Sequence, residues 1–217
     1  MRVLVVNPNS TASMTDGIVE AARSAAASDL EIVGMTNASA PPAIQGEADG
    51  HAATPGVIYA VREAEANGFD AAIVACFDDT GLAAAKAAVK IPVIGIGQAA
   101  FLSAMVYGHF SVITTLPVSV PVIEANLRGY GLTGVCRAVH ASGLPVLSLE
   151  DAPDRASTVL YAAAAQVAKA DAVDAIVLGC AGMASFAPAM QQASGLPAVD
   201  GVAAAVGLVR TVAYATG

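Results

Sequence analysis

The chain has 217 residues, enough for one large domain or two small lobes around a cleft. With 56% hydrophobic and 13% charged residues it can bury a substantial core, which excludes a disordered chain. A net charge of −8 excludes nucleic acid and anionic membrane as partners bound by bulk electrostatics.

The first predicted element is a strand over residues 3–6, reached directly from Met1 with no h-region or cleavage site before it. A polar turn follows, Asn7-Pro-Asn-Ser-Thr11, in which Ser10 or Thr11 is the expected helix cap. Further strands are predicted over residues 30–33, 71–75, 93–96, 110–114, 136–140, 175–178 and 198–199. Continuous Val, Ile and Ala runs between helical stretches imply parallel strands covered on both faces. Thr54-Pro55 reads as a helix start and Asn67-Gly68 as a stop, while Asp151-Ala-Pro153 opens a helix running to Lys169. The expected fold is α/β, with two similar lobes, each a four-stranded mainly parallel sheet flanked by helices. The connection near residues 99–108 divides a first lobe, 1–99, from a second, 100–217, with the last helix of the first free to pack on the other. No apolar run is long enough to span a bilayer. Three cysteines without framework spacing point to free thiols and a cytoplasmic protein.

The informative feature is an internal repeat. Asp70-Ala-Ala-Ile-Val-Ala-Cys76 and Asp174-Ala-Ile-Val-Leu-Gly-Cys180 both place Cys six positions after Asp. A helical stretch, a proline (Pro92, Pro197), a short apolar strand and a Gly-Ala-rich helix follow each. Upstream, Asn7 and Thr114 end the opening strand of each half, 69 and 66 positions before the cysteine.

Ligands of parallel α/β sheets sit beyond the carboxyl ends of the strands, where both cysteines fall. A helix N-terminus there is expected to lower a thiol's pKa. If the halves face each other by pseudo-twofold symmetry, one thiolate takes a proton from one face of a carbon while a thiol returns it on the other. The N–H groups at Phe77-Asp78 and Ala181-Gly182 are candidate donors to substrate oxygens. For a single cysteine, a small buried filler is the better reading. For a matched pair, catalysis is.

Other residues carry duller readings. Gly95-Ile-Gly-Gln-Ala-Ala100 fits a dinucleotide pattern, but a lone match reads as tight packing. Asp78 and Asp79 are weighed equally as caps of the following helix and as substrate contacts. Asp70 and Asp174 finish turns, Cys136 belongs to the core, and Arg128 and Arg137 lie on the surface. His51, His109 and His140 have no metal-site spacing.

Asn7-Pro-Asn-Ser-Thr11, Ala75-Cys-Phe-Asp-Asp-Thr-Gly-Leu82, Pro92-Val-Ile-Gly-Ile-Gly97 and Leu178-Gly-Cys-Ala-Gly-Met183 together resemble the hydantoin racemase branch of the aspartate/glutamate racemase superfamily. The resemblance covers nearly the whole chain. It implies no cofactor, proton exchange by Cys76 and Cys180, and self-association into a homo-oligomer. It also implies substrate contacts near Asn9 and Ile44 and at Thr114 and Thr115. The expected substrate is a small cyclic amide, a 5-monosubstituted hydantoin. One departure stands out: many hydantoin racemases carry Gly-Asp-Pro-Gly after Cys-Phe, where this chain has Asp78-Asp79-Thr80-Gly81. Allantoin or amino-acid racemisation, maleate-type isomerisation and a two-lobed binding protein are the alternatives left open.

Overall fold

A computed structural model describes residues 1–216. The first half runs β1 (Arg2–Asn7), α1 (Ala12–Ala25), β2 (Glu31–Thr36), α2 (Glu47–Ala66), β3 (Ala71–Val74), α3 (Leu82–Ala88), β4 (Val93–Gly95) and α4 (Ile96–Ala104). The second runs β5 (Phe110–Thr114), α5 (Val120–Gly129), β6 (Cys136–Ala141), α6 (Ser148–Asp151), α7 (Pro153–Ala170), β7 (Ala175–Gly179), α8 (Ala187–Ser194), β8 (Ala198–Asp200) and α9 (Gly201–Thr216). Short 3₁₀ turns at Pro117–Ser119 and Ala181–Phe186 precede α5 and α8.

The strands form two four-stranded sheets, ordered β2-β1-β3-β4 and β6-β5-β7-β8, with every pairing parallel. Sequence periodicity predicts this architecture, because strands covered by helices on both faces need mostly apolar residues. β3, β5 and β7 are buried throughout. The repeated aspartates do repeated work. Asp70 accepts the Arg2 N–H at 2.7 Å, and Asp174 accepts the His109 N–H at 2.8 Å. Each carboxylate thereby ties the start of one central strand to its neighbour.

Three apolar layers follow. One cluster lies on the first sheet beneath α2 and α3, and includes Val57, Val61, Val74 and Leu82. Another lies on the second sheet beneath α7 and α8, and includes Leu160, Leu178 and Met190. The largest joins both sheets through α4 and α9: Val3 and Ile73 of one sheet and Phe110 and Val177 of the other pack with Phe101, Val202 and Val206. Phe101 is fully buried, edge-on to Phe77 at 5.3 Å and stacked on Phe110 at 5.9 Å.

The structure corrects several local expectations. α2 begins at Glu47, so Pro55 lies inside it and Thr54 does not cap it; the Thr54 hydroxyl bonds the Gly50 carbonyl instead. Pro55 is exposed, where water can satisfy the carbonyl that the missing N–H leaves unpaired. The stop is as read, with Asn67 as cap and Gly68 at φ +72°. Thr11 precedes α1, but its hydroxyl bonds the Pro42 carbonyl at 2.7 Å and Ser10 is no cap either. Asp151 closes α6, and the long helix starts after Ala152.

Candidate active site

Cys76 follows β3 and Cys180 follows β7, the equivalent strands of the two sheets. Both are free thiols, half-buried, and both line one cavity of about 30 Å³. The first half adds Asn9, Met14, Ile44, Ala75, Phe77 and Asp78 to its wall; the second adds Thr115, Ser119, Val146, Gly179 and Ala181. No Lys, Arg or His is among them. A cluster of Met14, Ala43 and Val146 packs against Cys180, roofing the cavity with segments from both halves. Across that roof the Val146 N–H points to Gln45 Oε1 at 3.4 Å and the Ser13 hydroxyl donates to Glu150 at 2.9 Å.

Of the residues singled out from sequence, Asn9, Ile44, Cys76, Phe77, Asp78, Thr115, Cys180 and Ala181 meet at this cavity. Thr114 and Gly182 do not line it. The Thr114 hydroxyl is turned into the sheet, onto the Gly179 carbonyl at 3.0 Å. The N–H groups of Asp78 and Gly182, expected to face substrate oxygens, are directed at the sulfurs of Cys76 and Cys180 respectively. Met14, Ser119 and Val146 were not anticipated. They come from a helix face, a 3₁₀ turn and a loop, none of which carries a sequence motif.

The turn after Cys76 is built around Asp79, which is buried and holds a left-handed backbone at φ +50°. Its carboxylate accepts the N–H groups of Gly97 at 3.1 Å and Gln98 at 2.8 Å, and the Tyr130 hydroxyl at 2.7 Å. Asp79 therefore caps α4, not the helix that follows it. This also explains the Gly95-x-Gly97 pattern. A Cβ on Gly95 would lie 2.0 Å from the Asp79 carboxylate, and one on Gly97 2.3 Å from the Phe77 carbonyl. The anion at this helix N-terminus is the protein's own side chain, so the glycines serve close packing. Asn7 orders the opposite rim: its amide donates to Asn9 Oδ1 at 2.9 Å and to Thr15 Oγ1 at 3.0 Å.

The expectation of lowered thiol pKa values is corrected. Burial, and next the Asp78 charge, push Cys76 well above its ordinary value, against donation from the Thr80 hydroxyl at 3.3 Å and the Asp78 N–H. Burial and then Asp78 and Glu150 push Cys180 up to about 12, against the Gly182 N–H. The helix-end effect is weaker than desolvation here because α3 starts only at Leu82 and Cys180 precedes a 3₁₀ turn. Burial likewise raises Asp78 to about 6 and Asp79 to about 7. Cys136 stands apart on β6, half-buried against the core as read from sequence. Among the described residues no His, Cys, Asp and Glu group is arranged to hold a metal, and no helix is long and apolar enough to cross a membrane.

The family model described as Asp/Glu/Hydantoin racemase matches residues 3–209. The chain is 46% identical to the hydantoin racemase of Rhizobium meliloti over 221 residues, covering 100% of this chain and 91% of that protein. It is 36% identical to the hydantoin racemase of Pseudomonas sp. (strain NS671), covering 98% of this chain and 86% of that one. Among solved structures, the allantoin racemase from Klebsiella pneumoniae superposes with a TM-score of 0.96 at 37% identity, covering 100% of this chain and 89% of that chain. A match of this extent to model, sequences and fold has one meaning: the chain belongs to the Asp/Glu/hydantoin racemase family and is an isomerase of the racemase type.

Proposed function

We propose that the protein racemises 5-monosubstituted hydantoins without a cofactor, with Cys76 and Cys180 as the paired acid and base. The observation that carries this reading is the placement of the two thiols at the ends of equivalent strands in two like-ordered sheets, opening into one cavity. The ring carbon that bears the substituent adjoins a carbonyl, so loss of its proton gives an enolate. One thiolate removes that proton and the opposite thiol supplies another to the other face. The two sulfurs exchange protonation states, and the reverse turnover or solvent restores them. Charge on the Cys180 sulfur raises the pKa of Cys76, which favours one thiol staying protonated while the other is the base. Positioned acid–base groups of this kind contribute roughly 10²–10⁴-fold each.

A cavity of about 30 Å³ has room for little more than water. A five-membered ring enters when the roof formed by the Ile44 and Val146 segments lifts, and closing it excludes water from the enolate. The absence of any cationic residue among those lining the cavity disfavours a dianionic, maleate-like substrate. The same ring supports a second reading. Allantoin is a hydantoin with a ureido substituent, and likeness to the allantoin racemases of Klebsiella pneumoniae and Pseudomonas fluorescens favours testing it. The proposal takes residues 1–99 and 100–217 as the two lobes, a boundary that falls inside α4, the helix packed against both sheets. It extends, from the three free thiols and the family likeness, to a cytoplasmic, self-associating enzyme.

Incubating one hydantoin enantiomer with the protein in heavy water tests the reading. Optical rotation should decay to zero as deuterium enters the ring carbon. Retained rotation with no deuterium uptake, beside active enzyme controls, would refute it.

A further inference from the structure

Among the residues lining the cavity, Asp78 is the charged one, and its charge opposes the chemistry. Its carboxylate raises the pKa of both Cys76 and Cys180, so it lies within electrostatic reach of both sulfurs and handicaps whichever is the base. Its main chain is pinned on each side: the N–H points to the Cys76 sulfur, and the carbonyl accepts the Asn126 amide at 2.8 Å from α5. The residue lines the cavity. It has acceptor capacity to spare, because its one side-chain hydrogen bond given by the structure comes from the Ser119 hydroxyl at 3.4 Å. Asn9, the other strong acceptor there, already takes two donors on Oδ1, from Asn7 Nδ2 and the Thr11 N–H, each at 2.9 Å.

Resting on the racemase reading above, we infer that Asp78 is the specificity-determining acceptor that grips the ring N–H beside the stereocentre. Three physical points fix that atom. A carbon held between the thiols brings its two ring neighbours, one carbonyl and one N–H, to the residues around them. Negative charge develops on the carbonyl oxygen as the enolate forms, so a carboxylate beside it would oppose the reaction; beside the N–H it does not. The N–H also lies in the ring plane, whereas inversion moves only the substituents above and below that plane, so one acceptor serves both enantiomers. With burial raising it to about 6, Asp78 is mostly ionised near neutral pH and accepts. This wall residue is thus a ligand group in the chain.

The test uses a ring that lacks the donor without changing shape: the oxazolidinedione in which oxygen replaces that N–H, carrying the same substituent. Racemisation of both rings is followed by optical rotation, with rates divided by uncatalysed exchange at the same carbon to remove differences in acidity. The wild-type protein should prefer the hydantoin by about 100-fold or more, since the oxygen would face a carboxylate. Asp78→Asn can turn its amide N–H toward the ring oxygen, and should cut that preference at least tenfold. Equal wild-type rates on the two rings would overturn the assignment, as would an unchanged preference in a folded Asp78→Asn protein. If Asp78→Asn does not fold, the wild-type comparison decides alone. A wild-type protein that racemises neither ring defeats the hydantoin reading itself, a result separate from either of these.

Discussion

Tyr130→Phe removes one hydroxyl from the junction between the two halves. Tyr130 sits just after α5 and donates to Asp79 at 2.7 Å, while Asp79 holds the turn that carries Cys76 and Asp78. The phenyl ring remains beside Phe101, whose centroid is 6.3 Å away, so packing is retained and the hydrogen bond alone is lost. Asp79 keeps its two backbone donors, Gly97 and Gln98. A bond to a charged acceptor is worth about 1.5–3 kcal/mol, and in a chain of this size that lowers Tm by about 3–12 °C. The loss depends on pH. Burial raises Asp79 to about 7 in the folded state, above its ordinary carboxylate value, so the folded protein holds a proton that the unfolded chain has released. Stability from this group is present at acid pH and declines as pH rises toward 7. Tyr130 stabilises the ionised form and limits that decline. Thermal melts should therefore show a larger drop for the variant near pH 8 than near pH 5, with racemase activity falling alongside as the turn loosens. An unchanged Tm, or a larger drop at the acid pH, would refute this account of the junction.

Cys76→Ser and Cys180→Ser should each lower racemisation by roughly 10²–10⁴-fold. Each is also expected to leave slow solvent exchange of one enantiomer; polarimetry with deuterium analysis reads both, and wild-type racemisation in either variant would break the two-base scheme. Phe101→Ala removes a fully buried ring between Phe77 and Phe110, and should cost about 3–5 kcal/mol in denaturant unfolding. A loss under about 1 kcal/mol would mean that the layer joining the sheets is not a packed core.

What was legible from the residues follows from periodicity and local chemistry. The largely apolar run over 110–114 and the unbroken one over 175–178 mark strands buried on both faces, and they are. Asp70 and Asp174 stand at matched positions because each reaches an N–H at or just before the start of a neighbouring strand, Arg2 and His109. Asn67-Gly68 stops a helix through its own backbone conformation. Where local signals misled, a distant or solvent partner had taken over. Pro55 reads as a helix start, yet the helix passes through it with that face exposed to water. Asp79 reads equally as a cap for the helix beside it and as a substrate contact, yet it caps α4 through N–H groups eighteen and nineteen residues on.

Local pattern and repetition by themselves determined the α/β class, the eight-strand layout and the doubled Asp-to-Cys motif on which the proposal of Cys76 and Cys180 as the chemical pair rests. Only the closed tertiary structure decided the rest. It made Ser119 and Val146 walls of the cavity, turned the Thr114 hydroxyl into the sheet, and aimed the Asp78 and Gly182 N–H groups at sulfur. It also reversed the direction of the thiol pKa shift. The reason is physical: periodicity records which faces of an element are dry, whereas desolvation, side-chain aim and the meeting of distant loops depend on where the other half of the chain comes to rest.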